Sequence, residues 1–254
     1  MSDDTHPLSI PSSLILALGM ILGGWILGSE IRDVRLADRY VSVRGLAERI
    51  VKSDLAIWPL KFREAGNDLK ATFAQSQQDR QVVLDFLAHQ GIPKSDISVG
   101  QPNVTDLEAN EYGSAKHPNR FIVEQVVSVR STNVDLVAAA VQRTGELIAR
   151  GVVISSSNYP PGSGSASYLF TGLNKIKPEM ISEATRNARA AAEHFATDAN
   201  SKLGTIRHAS QEPFIIASAD ETTQAGPDQG GDQSAGSMMK KVRIVTEVEF
   251  YLGK

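Results

Sequence analysis

Lys240-Lys-Val-Arg-Ile-Val-Thr-Glu-Val-Glu-Phe-Tyr-Leu252 alternates Val242, Ile244, Val248, Phe250 and Leu252 with Lys241, Arg243, Glu247 and Glu249. Successive side chains of an extended chain point to opposite faces, so this period of two predicts a strand with one buried and one solvated face. Residues 206–217 read as another strand. Between the two, residues 218–237 are rich in Gly, Gln, Ser, Asp and Thr, carry Asp220, Glu221, Asp228 and Asp232 and have no basic residue, the composition of a mobile loop. A hairpin joining the two strands across that loop is the simplest arrangement.

Toward the N-terminus, Tyr40-Val-Ser-Val-Arg-Gly45 and residues 54–64 read as two more strands. In the second, Ala56, Trp58, Leu60 and Phe62 share a face, and Pro59 predicts an edge position or a bulge. Asn67 is the expected N-cap of a helix with Leu69, Phe73, Arg80, Val83, Leu84 and Leu87 on its inner stripe, Gln75, Gln77, Gln78 and Asp79 outside, and Gly91 and Pro93 as stops. Residues 97–107 and 120–130 read as strands bracketing a polar loop at 108–119, the whole forming a long hairpin. Asn133 caps a second helix, with Val137, Ala140, Val141, Leu147 and Ile148 buried and Gly151 as its αL stop. Two short strands, 152–156 and 167–172, flank a Pro160-Pro161-Gly162 turn. Pro178 then opens the longest soluble helix, which Gly204 ends. Its stripe of Ile181, Ala184, Ala188, Ala191, Ala192, Phe195 and Leu203 is rich in alanine, which permits close packing onto a sheet or another helix. The fold class is therefore α+β, an antiparallel sheet with packed helices.

The 254 residues, 41% hydrophobic and 22% charged, have the composition of a folded protein, and a net charge of −3 without a long basic run excludes a phosphate-tracking surface and hence nucleic acid as partner. With no cysteine, disulfides, thiolate nucleophiles and cysteine-based metal sites are excluded. After a tail at 1–10, the segment 11–29 carries no charge up to Gly28 and reads as one transmembrane helix, followed by a connector at 30–39. From Leu8 to Gly28 about 21 residues span about 31 Å, enough for a bilayer core, whereas the strictly apolar part reaches only about 21 Å. The absence of an A-x-A cleavage site and of a basic leader favours an uncleaved anchor over a cleaved signal peptide or a soluble core helix. Arg32, Arg35 and Arg39 after the span argue for a cytoplasmic C-terminal side, while long domains translocate largely regardless of charge, so the two arguments on orientation point opposite ways. Gly19-x-x-x-Gly23 and Gly24-x-x-x-Gly28 suit helix association, or simply reflect the frequency of glycine in membrane helices.

No constellation predicts chemistry: catalytic, cofactor-binding and metal residues are all read as none. His6, His89, His117, His194 and His208 are scattered and form no H-E-x-x-H pattern, and Glu193-His194 are helix neighbours that diverge. Gly162-Ser-Gly-Ser-Ala166 lacks the central serine and following helix of a nucleophile elbow. The 226–236 glycine run lacks the Lys and Ser/Thr of a P-loop, and Asn103-Val-Thr105 is a common chance sequon.

Three phrases nevertheless combine: Val41-Ser-Val-Arg-Gly-Leu-Ala-Glu48, Gly91-Ile-Pro-Lys-Ser-Asp-Ile97, and residues 188–204 running into Thr205-Ile-Arg207. In these and in the order of elements, residues 40–254 resemble the SIMPL-domain family. The resemblance implies an antiparallel α+β domain, usually periplasmic or held outside the bacterial inner membrane, tending to oligomerise. It implies no reaction, although bacterial members are loosely associated with oxidative-stress defence. The expectation is a non-enzymatic, single-pass, extracytoplasmic scaffold or interaction protein that self-associates, linked to envelope or oxidative-stress defence. Two alternatives remain: an enzyme built from acids such as Asp54, Glu64 and Glu124, and an envelope small-molecule or glycan binder using the 108–119 loop, with Tyr112 and His117 as contacts.

Overall fold

A computed structural model describes residues 19–20, 39–109, 118–154, 165–219 and 233–253. The expected membrane anchor lies outside them apart from Gly19 and Met20, as do Tyr112, His117, the Pro160-Pro161-Gly162 turn and most of the expected loop at 218–237. Among the described residues no helix is long and apolar enough to cross a membrane. The elements in chain order are β1 (Tyr40–Lys52), β2 (Leu55–Gly66), α1 (Leu69–His89), β3 (Ile97–Val99), β4 (Asn103–Asp106), β5 (Phe121–Ser131), α2 (Val134–Gln142), α3 (Gly145–Ala149), β6 (Ser167–Leu169), α4 (Leu173–Asp198), β7 (Lys202–Gln211), β8 (Ile215–Ser218) and β9 (Met239–Gly253). The class is α+β with antiparallel pairing, as the alternating patterns require.

Two compact units divide the chain. One comprises Met1–Ala47, Ile181–Pro213 and Ile244–Lys254, the other Glu48–Met180 and Phe214–Arg243. In the first unit β9 lies between β1 and β7. The backbone N–H of Leu252 donates to Arg39 O at 2.9 Å, and Arg44 meets Glu247 at 3.6 Å, so β1 and β9 run in opposite directions. β7 pairs antiparallel with β9 from Lys202↔Gly253 to Gln211↔Thr246, with register shifts around Ile206. Helix α4 lays a stripe of Ala184, Ala188 and Ala192, all fully buried, on β1, and Asn187 Nδ2 donates to Leu46 O at 2.8 Å. The core of this unit is Val43, Ala188, Ala192, Val248 and Phe250. The expected stripe holds at its alanines, and Ala191 and Leu203 pack against the same core, but Phe195 is 60% exposed. The helix begins at Leu173, with Pro178 inside it rather than opening it. It ends at Asp198, and the left-handed residue that follows is Asn200 (φ 50°), not Gly204, which lies in β7.

In the second unit a five-stranded sheet runs β3-β5-β2-β6, and β4 shares the β3 side of β5. The expected hairpin across the 108–119 loop is present as the antiparallel β4·β5 pair. Its first arm is two strands instead of one, because the chain breaks at Gly100 to Pro102, where Gly100 N donates to Val126 O at 2.8 Å. Pro59 costs no ladder bond. On the β6 side, β2 is paired only over Leu55 to Ile57 and again at the Phe62↔Ile154 bridge, among the described residues. Of the strand expected at 152–156, the described residues 152–154 contribute that bridge. Trp58, Leu60 and Phe62 of β2, Val127 and Val129 of β5, Val83, Phe86 and Leu87 of α1, and Val137 and Leu147 of α2 and α3 make the core. The single helix expected after Asn133 is two, interrupted at Arg143 and Thr144, which turns Ile148 outward to 63% exposure. Gly151 has the expected positive φ, 90°. The C-terminal hairpin is confirmed as β8·β9, from Ile215↔Arg243 to Ser218↔Lys240.

Candidate functional site

Helix α1 carries the largest departure from its sequence pattern. Leu69 and Phe73, expected inside, are each 40% exposed, while Thr72, Ser76 and Asp79 are buried. The cause is the entry of the chain. Asp68, not Asn67, is the N-cap, its carboxylate accepting from Ala71 N at 3.0 Å. Asn67 is used elsewhere, donating to Pro118 O at 3.3 Å and accepting from Arg120 N at 3.0 Å. With the cap there, positions 72, 76, 79, 83 and 86 face the sheet, a spacing of three and four that keeps one face of the helix inward. The first half of that face is polar and the second, at Val83, Phe86 and Leu87, apolar.

Opposite the polar half lies the end of β2. Glu64 shares its face with Leu60 and Phe62, because alternate strand residues point the same way. On β5, Gln125 faces the same side as the fully buried Val123 and Val127 and stands in register with Phe62, while Val123 is in register with Glu64. Gly66 packs against Thr72, whose Oγ1 would collide with any Cβ there. The layer between α1 and the sheet thus holds Thr72, Ser76, Asp79, Glu64 and Gln125.

Its polar atoms are incompletely satisfied. Asp79 Oδ1 accepts from Gln75 Nε2 at 3.1 Å, but Asp79 Oδ2, Ser76 Oγ and both amide atoms of Gln125 are buried with no hydrogen-bond partner among the described residues. A carboxylate oxygen can only accept, and the Glu64 carboxyl lies close enough to Asp79 to raise its own affinity for a proton. A proton held by Glu64 therefore offers the Asp79 carboxyl a donor beside Gln75. The Glu64 carboxyl is pushed up to about 7, first by burial, then by its hydrogen bond to Asp79 and by the charge of Asp79, with no lysine or arginine among the causes.

A carboxyl raised in the folded state binds its proton more tightly there than in the unfolded chain. Its contribution to stability is full below about pH 4.5 and is lost as the pH rises through about 7. Because Glu64 is only half-buried and screened by solvent, that contribution is about 1 kcal/mol. Glu64→Gln keeps a donor toward Asp79 without a titrating proton. Chemical denaturation at a series of pH values therefore finds a falling stability across pH 5 to 8 in the wild type and a flatter profile in the variant.

The acids singled out by sequence do not converge. Asp54 accepts from Thr171 N at 2.7 Å and Thr171 Oγ1 at 3.0 Å, a clasp between β2 and the chain after β6. Glu124 pairs with Lys61 at 2.8 Å on the outer face of the sheet. Glu64 alone belongs to a perturbed pair, and its partner Asp79 was assigned to the exposed face of the helix. The missed signal was the Asp68 cap one residue later, which rotates the helix by a position. No group of three or more histidine or acidic side chains able to hold a metal occurs among the described residues. His89 Nδ1 lies 2.7 Å from Asp85 O, Glu193 pairs with Arg189 at 3.3 Å, and His194 and His208 are exposed.

Antiparallel sheets with helices packed on them make this a mixed α+β protein. Residues 41–250 match the family model described as SIMPL, protein of unknown function (DUF541), and the chain belongs to that family. No curated protein matches the sequence.

Proposed function

We propose that this protein is a non-enzymatic interaction module that associates with further copies of itself, held outside the cytoplasm by its N-terminal segment and acting in envelope or oxidative-stress defence. The observation that supports self-association is β7. Every residue from Thr205 to Gln211 is exposed, Ile206 at 48%. A strand covered on one face hides alternate residues, so this run is bare on both faces. Among the described residues β7 pairs only with β9, and its outer edge is open. An open edge of this length is a template for another strand. Asp79, by contrast, is only 6% exposed, which keeps substrate-sized groups from reaching that carboxylate and weighs against the enzyme alternative.

Sedimentation of the full-length protein in mild detergent tests the reading. The expected result is an oligomer that Ile206→Asp weakens by about tenfold or more. Because Ile206 is half-exposed, the melting temperature of the variant stays close to that of the wild type. A wild-type protein that is monomeric at high micromolar concentration refutes self-association. Protease accessibility of a C-terminal tag in spheroplasts decides the location independently.

A further inference from the structure

We propose that the N-terminal half of α1 is held to the sheet by a proton-operated catch, closed while the Glu64 carboxyl donates to Asp79 and released when that proton is lost. Three features of the geometry carry this. First, the inner face of α1 changes character along its length. Val83, Phe86 and Leu87 are 0 to 1% exposed in an apolar core, but Thr72, Ser76 and Asp79 bring polar atoms to the sheet. Apolar burial therefore anchors one half of the helix, and the other half depends on what its polar atoms meet. Second, Asp79 Oδ2 is buried with no hydrogen-bond partner among the described residues, leaving such an oxygen unpaired is costly, and the neighbouring Glu64 carboxyl can supply a donor only while it holds its proton. Third, Glu64 sits two residues from the end of β2 and is half-buried, so the ionised side chain can turn toward water, whereas Asp79 cannot without moving the helix.

The surrounding charges do not replace the proton. Lys61 and Glu124 pair with each other on the opposite sheet face, where Arg63 and Arg130 are exposed. On α1, Asp68 caps the helix, Lys70 is exposed, Asp85 accepts from Gln81, and Arg80 follows Asp79 at a helix position that diverges from it. From the neighbouring elements, Asp135 of α2 is held by Lys52, Glu146 of α3 and Lys94 are exposed, and Asp96 accepts from Ser95. The affinity of Glu64 for its proton, balanced near 7, sets the working range around neutrality.

Loss of the proton places two negative charges across the layer, and the lowest-energy relief is local opening of the first turns of α1. The test is amide hydrogen exchange of the full-length protein between pH 5.5 and 8.5, each rate corrected for the intrinsic pH dependence of exchange. The expected result is that protection of amides 72–80 falls by about tenfold across the range while that of amides 83–88 does not, and that Glu64→Gln abolishes the fall. If Glu64→Gln does not accumulate as folded protein, Asp79→Asn serves, since its amide donates to Glu64 without a shared proton. A wild-type profile flat in pH, a fall shared equally by both halves of the helix, or a fall that persists in the variants overturns the catch.

Discussion

Gly45→Ala unfolds the first unit at a temperature about 10 °C below the wild type, a loss of about 3–4 kcal/mol. The backbone of Gly45 is not in the left-handed region, so the cost is one of space and not of conformation. A Cβ at this position would overlap the backbone oxygen of Ala184 and lie 2.6 Å from the backbone nitrogen of Ala188 and 2.8 Å from its Cβ. Two of those three contacts are with helix backbone. Trimming the neighbour does not relieve them, so Ala188→Gly in the same chain restores only a minor part of the loss. The alternative is for α4 to move away from β1, which opens a void along Ala184, Ala188 and Ala192 and forfeits their packing against Val43, Val248 and Phe250. Differential scanning calorimetry of the single and double variants measures both effects. A Gly45→Ala protein as stable as the wild type would mean that the helix is not seated on β1 as described. The contrast is Gly151, whose positive φ is itself the reason for glycine and whose side-chain direction is open.

Gly45 also shows how a local signal misleads. Read along the chain, a glycine after Tyr40-Val-Ser-Val-Arg marks the end of a strand. The strand continues to Lys52 because the glycine serves the helix crossing it. The alanine stripe of α4 was legible as a close-packing surface, yet its partner lay about 140 residues away in sequence, beyond the reach of periodicity. Strands with a strict period of two, β5 and β9, were legible nearly to the residue, since each has one face in the core and one outside. Helix α1 was legible only in its second half, where Val83 and Leu87 are buried as expected, because the residues that decide the first half of its inner face are polar. Leu69 and Phe73 look like core and are not. Asp79 looks like surface and is buried beside Glu64, so the carboxyl pair could only be found by placing β2 and α1 against each other. The acids Asp54 and Glu124 failed for the opposite reason: each has a near neighbour, Thr171 or Lys61, that fully accounts for it.

Gln125→Leu raises the stability of the second unit by about 1–3 kcal/mol, the cost of burying an amide that makes no hydrogen bond. Gln125 is 1% exposed on β5, flanked on its face by Val123 and Val127 and across the register by Phe62, and neither its oxygen nor its nitrogen has a partner among the described residues. Leucine is close to it in size, has strand neighbours that accept an apolar side chain, and removes both unsatisfied atoms together. Urea denaturation at pH 6, where Glu64 largely holds its proton, isolates this effect from the titration of the carboxyl pair. The same variant retains the pH profile of the wild type, because the proton passes between Glu64 and Asp79 and not through residue 125. A loss of stability instead of a gain would show that the amide is paired within the folded protein, and a flattened pH profile would make it part of the catch. The gain, if measured, carries a consequence of its own. A chain that keeps Ser76, Asp79 and Gln125 unsatisfied where apolar residues would pack better forgoes stability in this layer, and outside it only the Ser53 and Thr246 hydroxyls are buried without a partner among the described residues. Three of these five residues belong to one layer, and such clustering is the signature of a site retained for what it does. The place is the one where a proton decides whether the helix is held.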